Sequence, residues 1–180
     1  EARDPAAEIG GSVVHKSQVL TGGRMKAGGV KFADDPATAA KAAEGILQLE
    51  IKGQTPRGVL VEQRVPVVQE YFAAVTWDGR RKLPVLIFSD MGGLDIGEVG
   101  EKHPEHVSRT HLSTILPFSA YKAKEAIGAV GVTGDVLNRM TPILATLVEI
   151  FLRYDLTLAE INPIGRLEDG RVLVLDGHVD

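Results

Sequence analysis

The stretch Val13-Val14-His15-Lys16-Ser17-Gln18-Val19-Leu20-Thr21-Gly22-Gly23-Arg24-Met25-Lys26-Ala27-Gly28-Gly29-Val30-Lys31 organises the reading of the chain. Residues 12–19 are rich in β-branched side chains and read as a strand. Residues 21–29 hold clustered glycines with Arg24 and Lys26, a run that no regular element holds comfortably. Val30 to Ala33 resumes extended structure. A glycine loop exposes main-chain N–H groups and lets them approach a ligand closely. Lys16 and Lys31 flank it, so four cations surround the loop, which suits a polyphosphate. Arginine adds a bidentate grip that lysine lacks. The Walker A spacing, Gly-x4-Gly-Lys-Ser/Thr, is missing. A surface loop with solvated charges stands beside the phosphate reading at this point.

Outward from this stretch, Asp35-Pro36 starts a helix, a cap followed by proline in the first turn. The helix runs to about Leu49, and Lys52-Gly53-Gln54 ends it. Gly58–Gln63, Val67–Trp77 and Leu83–Ser89 read as strands. Asp78-Gly79 is a hairpin signal between the last two. Gly92-Gly93 marks a loop, and residues 95–118 carry no clear period. Ser119–Ala129 and Thr133–Tyr154 are helical. The second places Val136, Met140, Ile143, Leu144, Leu147, Ile150 and Phe151 on one face. Leu156–Ile161 is a buried strand, turned by Glu168-Asp169-Gly170 into a strand over 171–175. Strands and helices mix without strict βαβ alternation, so the expected class is α+β, with antiparallel or mixed sheets and packed helices.

Composition bounds the rest. The chain has 180 residues, enough for one domain or one domain with two lobes. Twenty basic against 24 acidic residues give a net charge of -4, which excludes a generally basic nucleic-acid binder. With no cysteine there is no disulfide, thiolate metal site or cysteine nucleophile. No apolar run approaches the ~20 residues that span a bilayer. The start, Glu1-Ala2-Arg3-Asp4-Pro5, is neither a signal peptide nor a start methionine, and reads as trimmed.

A second group of candidates is Glu160-Ile161-Asn162-Pro163 with Asp176. Glu160 and Asn162 are two apart on a strand and share a side. The hairpin at Asp169-Gly170 returns Asp176 beside them. A carboxylate and an amide oxygen converging on one point suit Mg²⁺, a hard cation usually completed by phosphates and water. The competing reading is an outward face, with Asn162 serving the turn before Pro163. Glu62, closing Leu60-Val61, and Glu70 beside Tyr71 suit an adenine amino group or a ribose hydroxyl. They suit strand-end solvation as well. His103, His106 and His111 have no ligand spacing. His178, two past Asp176, reads as a surface histidine, with a place facing the same cleft as the alternative. Trp77 reads as a packing residue of the hairpin.

Together these stretches closely resemble the ATP-grasp domain of the succinyl-CoA synthetase β-subunit family. The resemblance rests on 13–31, Leu60-Val61-Glu62, Glu70-Tyr71, Gly92-Gly93-Leu94-Asp95-Ile96, Glu160-Ile161-Asn162-Pro163 and Leu175-Asp176-Gly177, in order and at matching spacing. It implies an ATP-grasp fold incomplete at its N-terminus, and roles residue by residue. Lys16 and the Gly23-Arg24-Met25 main chain would hold nucleotide phosphates, with Arg24 also at the reacting group. Glu62, the main chain at Val65, and Glu70 would contact base and ribose. Asn162 and Asp176 would bind Mg²⁺, and Glu160 would face a phosphohistidine. The family reaction joins a carboxylic acid to CoA, consuming ATP or GTP and releasing NDP and phosphate. The phosphohistidine and the CoA site lie on a partner α subunit.

Met25 stands where the family commonly has glycine, so a side chain there is expected to crowd the loop or reshape it. His178 stands where lysine is frequent. The whole of 1–180 is expected to be one ATP-grasp region of a longer chain, without the C-terminal CoA-ligase domain and inactive alone for the full reaction. Citryl-CoA and malyl-CoA synthetases and ATP-citrate lyase share the nucleotide domain and are the nearest alternatives. A carboxylate–amine ligase and a non-catalytic assembly domain are alternatives of other classes. The expected partners include no nucleic acid and no membrane. The expected location is the cytoplasm, or the mitochondrial matrix in a eukaryote.

Overall fold

The computed structural model describes residues 3–21 and 23–180. Gly22 of the glycine loop and the first two residues of the N-terminal stretch lie outside the described residues. The chain divides into two compact units, residues 1–65 and 66–180.

Unit 1 contains α1 (Arg3–Ile9), β1 (Val13–Ser17), β2 (Val30–Ala33), α2 (Pro36–Leu47) and β3 (Val59–Gln63). Its sheet has the order β2-β1-β3, both pairs antiparallel. Along β1, Val13, His15 and Ser17 are buried while Val14 and Lys16 are half-buried. That alternation sends one set of side chains toward the helices and the other to the open face. The core is small: Ala6, Val13, Ala33 and Ala39, with Ile9 and Val61 against them. Asp35 caps α2 through main-chain N–H groups of Ala37 and Thr38, both 2.9 Å away, with Pro36 at the first turn as expected. The helix ends at Leu47, two residues before the expected point. Lys52-Gly53 instead forms a tight turn joined by the Ile51–Gln54 bridge, both central residues having positive φ.

Unit 2 contains β4 (Val67–Asp78), β5 (Leu83–Ser89), α3 (Ile96–Lys102), a 3₁₀ turn (Pro104–His106), β6 (Val107–His111), α4 (Ala120–Gly128), α5 (Gly134–Arg153), β7 (Leu158–Leu167), β8 (Val172–Val174) and β9 (Gly177–Val179). The strand order is β6-β5-β4-β7-β8, with β9 also on β7. Its ladders are antiparallel throughout. The fold is thus α+β, as expected. The core holds Phe88, Phe151, Met140, Leu144, Val148 and Ile164, all at most 1% exposed. On α5 the buried stripe takes in Thr141 and Val148 and leaves Ile150 36% exposed. The apolar face is therefore rotated slightly from the periodicity reading.

The structure bears out one expectation with a longer turn and corrects another. The β4–β5 hairpin is real, but its loop has four residues, and Asp78 pairs across with Leu83. The positive φ falls on Lys82 rather than Gly79. The Asp78 carboxylate accepts from Arg80 N–H at 2.8 Å, which stabilises this longer turn. The strand read as 156–161 is β7, which runs on to Leu167. It continues because β4 is long enough to pair with it from Val67 to Thr76. The 95–118 segment resolves into α3, the 3₁₀ turn and β6. Among the described residues no helix is long and apolar enough to cross a membrane.

Candidate functional site

In unit 1 the open face of the sheet carries the candidates. Strand register places Phe32, Val14 and Glu62 in one row, and Val30, Lys16 and Leu60 in the next. The Lys16 ammonium forms an ion pair with the Glu62 carboxylate. Lys16 is nearly buried, its side chain 13% exposed against 41% for Glu62. A lysine held this way by a carboxylate is positioned before any anion arrives.

The glycine loop is more folded than its composition suggests. Gly29 N–H donates to the Arg24 carbonyl at 2.8 Å, and the Gly29 carbonyl accepts from Ser17 N–H at 2.7 Å. Ala27 N–H donates to the Gly23 carbonyl at 3.2 Å and Gly28 N–H to the Met25 carbonyl at 3.1 Å. The main-chain donors of 27–29 are therefore spent inside the loop, and the turn is closed onto β1. Gly29 is required by close approach: a Cβ there would lie 2.8 Å from Ile51 Cδ1 and against the Ser17 hydroxyl. Arg24 Nη1 donates to the Ser17 carbonyl at 3.3 Å, so its guanidinium also ties the loop to the strand. Met25 is 61% exposed, so its side chain extends outside the loop instead of crowding it.

Lys31 is a correction. It pairs in register with His15, on the face opposite Lys16. Its ammonium runs to α2, where a Cβ on Gly45 would meet Nζ at 2.8 Å. Strand alternation thus takes Lys31 to the face opposite Lys16 and away from the loop. His15 and Ser17 are fully buried beneath β1. Neither ring nitrogen of His15 nor the Ser17 hydroxyl makes a well-formed hydrogen bond among the described residues. Burial holds the His15 imidazole below its ordinary value of 6.5, opposed by the neighbouring Lys31 main chain. Val65 is the last residue of unit 1.

In unit 2, Glu160 and Asn162 lie two apart on β7, and the Glu160 carboxylate is hydrogen-bonded by the Asn162 side chain. Asn162 N–H donates to the Asp176 carbonyl at 3.1 Å, and Leu175 N–H to the Pro163 carbonyl at 3.1 Å. The return strand thus brings Asp176 beside Glu160, as the hairpin reading anticipated. Burial pushes the Glu160 carboxyl up. Asp176 and Asp95 act the same way, while His178 and the Asn162 hydrogen bond oppose them. His178 pairs with Glu160 across β7–β9, so it faces the acid group and is more than an isolated surface residue.

The sequence marks the loop Gly92-Gly93-Leu94-Asp95-Ile96 but assigns no role to Gly93 or Asp95. Gly93 N–H donates to Asn162 Oδ1 at 2.8 Å, and Asn162 Nδ2 donates to the Leu94 carbonyl at 3.4 Å. The 92–95 loop is therefore fixed onto β7. Gly92 is needed there because a Cβ would lie 2.5 Å from the Tyr71 main chain. The Gly92-Gly93 pair was the available signal, but nothing local says which strand it meets. Glu70 is exposed on β4, and its carbonyl accepts from Gly92 N–H at 3.0 Å. It borders an open depression of about 350 Å³ with Gln69, Asp90, Met91 and Leu94. Asp90 there binds His106 Nδ1 at 2.7 Å.

The donor set fits Mg²⁺. Asn162 Oδ1 and the Asp176 carboxylate are hard oxygens, and Asn162 Oδ1 keeps a second lone pair beyond the Gly93 bond. No group of three or more His, Asp or Glu side chains able to hold a metal ion occurs among the described residues.

The sequence profile of the ATP-grasp domain matches residues 1–166. The β subunit of an ADP-forming succinate–CoA ligase from Rubrobacter xylanophilus is 37% identical over 179 residues, 99% of this chain and 47% of that protein. The β subunit of a GDP-forming succinate–CoA ligase from Thermus thermophilus is 38% identical over 179 residues, again 99% and 47%. The chain spans about half the length of the curated relatives it matches. Among solved structures, ATP citrate lyase of Methanothrix soehngenii superposes with a TM-score of 0.72 at 21% identity, covering 98% of this chain and 40% of that one. An acetyl-coenzyme A synthetase of Korarchaeum cryptofilum gives 0.73 at 23% identity, covering 99% and 80%. At these identities the structural matches establish the fold.

Proposed function

The chain belongs to the ATP-grasp domain family, and from that premise we propose that it is the nucleotide-binding portion of an NDP-forming acid–CoA ligase of the succinate–CoA ligase type. The observation that carries this reading is the grouping of Glu160, Asn162 and Asp176 by main-chain pairing of β7 with the returning strand. Three hard-oxygen side chains brought together by β7 and the returning segment, on an ATP-grasp fold, suit phosphoryl transfer. In that chemistry positioning and charge neutralisation do most of the work.

In this reading Lys16 and the main chain of Gly23, Arg24 and Met25 grip the phosphates, with the Arg24 guanidinium neutralising charge. Glu62, Val65 and Glu70 address base and ribose. Asn162 and Asp176 hold Mg²⁺, which when bound withdraws charge from the phosphate oxygens. Glu160 receives the N–H of an incoming imidazole and favours its cationic form. Its partly buried carboxylate is more strongly felt by such a cation than an exposed one. The phosphohistidine, the CoA and the acid belong to a partner α subunit and to the remainder of the β-type chain. Succinate is the acid named by the sequence relatives, and the compartment proposed is the cytoplasm, or the mitochondrial matrix in a eukaryote.

Calorimetric titration of the chain with Mg-ADP and Mg-GDP tests this. The expected result is binding of at least one nucleotide, weakened tenfold or more by Lys16→Ala and by Asp176→Ala. Roughly equal affinity in both variants and the wild type would contradict it.

A further inference from the structure

The open face of the unit 1 sheet bears one aromatic side chain, and its surroundings give it a use. Phe32 is 52% exposed. Single exposed apolar residues are ordinary and need no account. Phe32 is not single in this sense. The Arg64 guanidinium lies over its ring, 4.8 Å from the centroid. Arg64 itself is anchored by its main-chain N–H to the Ser12 carbonyl at 2.9 Å. Phe32 shares a row with Val14 and Glu62, and Leu60 in the adjoining row is 46% exposed. The face therefore carries a planar cation–aromatic layer and an apolar strip beside the Lys16–Glu62 ion pair. Lys16 sits one two-residue step along β1 from Val14, about 7 Å. That is the order in which a nucleotide presents base, sugar and phosphate.

We infer that Phe32, with Arg64 layered on it, is the stacking platform for the purine base of the nucleotide whose phosphates Lys16 grips. The inference rests on the reading of Lys16 as a phosphate ligand. A base π-face stacks on an aromatic ring or on a guanidinium plane without regard to base identity. The platform therefore adds affinity for adenine and guanine nucleotides alike, and the carboxylate of Glu62 is left to discriminate by hydrogen bonding. Because Phe32 is half exposed and contributes little to the alanine core of unit 1, its removal spares the fold.

The test measures dissociation constants of the chain for Mg-ADP, Mg-GDP and Mg-tripolyphosphate, which has phosphates but no base. Phe32→Ala is expected to weaken both nucleotides about tenfold and to leave tripolyphosphate within about twofold. Phe32→Trp is expected to restore nucleotide binding. Equal weakening of all three ligands overturns the platform in favour of a structural role. Unchanged nucleotide affinity in Phe32→Ala overturns it outright, and if Lys16→Ala still weakens tripolyphosphate the phosphate reading survives alone. Loss of that Lys16 dependence removes the phosphate reading, and the platform with it.

Discussion

Units 1 and 2 each mount a polar site on an antiparallel sheet, but with very different reserves. Unit 1 packs its strands on a core led by alanines and keeps His15 and Ser17 buried there without well-formed hydrogen bonds. Unit 2 packs its sheet on Phe88, Phe151, Met140 and Leu144, all fully buried. The charges divide too. Residues 1–65 hold nine basic and eight acidic side chains, residues 66–180 eleven and sixteen, so the negative balance belongs to unit 2. A large apolar core can hold several acids close together at a fixed geometry. A thin one suits a loop that must accommodate phosphates. Ligand-handling elements come from the less stable part of a fold, and unit 1 has that character.

Phe88→Ala should cost about 3–5 kcal/mol of unit 2 stability, since a buried phenyl ring leaves a cavity. Trp77, the single tryptophan, is in unit 2, its ring 5.7 Å from Phe151. Urea unfolding followed by its fluorescence therefore reads unit 2, while far-ultraviolet circular dichroism reads both. Ile46→Ala, in α2, should cost about 2–5 kcal/mol and move the dichroism transition while leaving the Trp77 transition in place. If both signals shift together, the two units unfold as one and the contrast in reserves loses its meaning.

Next in size is Lys16→Ala. Hydrogen bonds to charged groups contribute about 1.5–3 kcal/mol net, so phosphate-ligand affinity should fall roughly ten- to 150-fold. Tripolyphosphate calorimetry checks it, and a loss under twofold would remove Lys16 from the grip.

His15 sharpens the contrast through pH. Its folded pKa lies below the unfolded 6.5, so the unfolded chain binds more protons within that window. Stability of unit 1 should then fall as pH drops below about 6.5. His15→Leu should abolish that dependence. Melting temperatures at about pH 7.5 and pH 5.5 for both proteins decide it, and parallel losses in the two would contradict the assignment.

The smallest effect lies in the unit 2 hairpin. The His111 imidazole at 2.7 Å and the Arg80 and Arg81 N–H groups hold the Asp78 carboxyl down at about 2. This carboxyl's contribution is complete above its ordinary 3.8 and is lost as pH falls toward about 2. Asp78→Asn should therefore lower stability modestly at neutral pH, leave it nearly unchanged near pH 2, and so flatten the acid limb between those values, as melting temperatures across that range would show.

Much of this was legible in the sequence because it is local. The Asp35-Pro36 cap, the strand alternation of β1 and the turn at Asp169-Gly170 depend on neighbours in the chain. Glu160 and Asn162 were placed on one side by spacing alone, and Asp176 by the turn that follows. What was not legible depends on partners far along the chain. Lys31 leaves the cradle because register with His15 assigns it to the helix face. β7 extends to Leu167 because β4 offers a partner strand that long. Gly93 N–H reaches Asn162 across 69 residues, and no local pattern announces such a bond.

In the function proposed above, residues of unit 1 hold the phosphates and residues of unit 2 hold the cation. The affinity of the chain for ADP measured across a range of Mg²⁺ concentrations tests it most directly. In the wild type affinity should rise with Mg²⁺. In Asp176→Ala it should become flat, while in Lys16→Ala it should be lower at every Mg²⁺ level and still rise. If Asp176→Ala keeps the full Mg²⁺ response, or Lys16→Ala abolishes it, the division of labour between the two units is wrong.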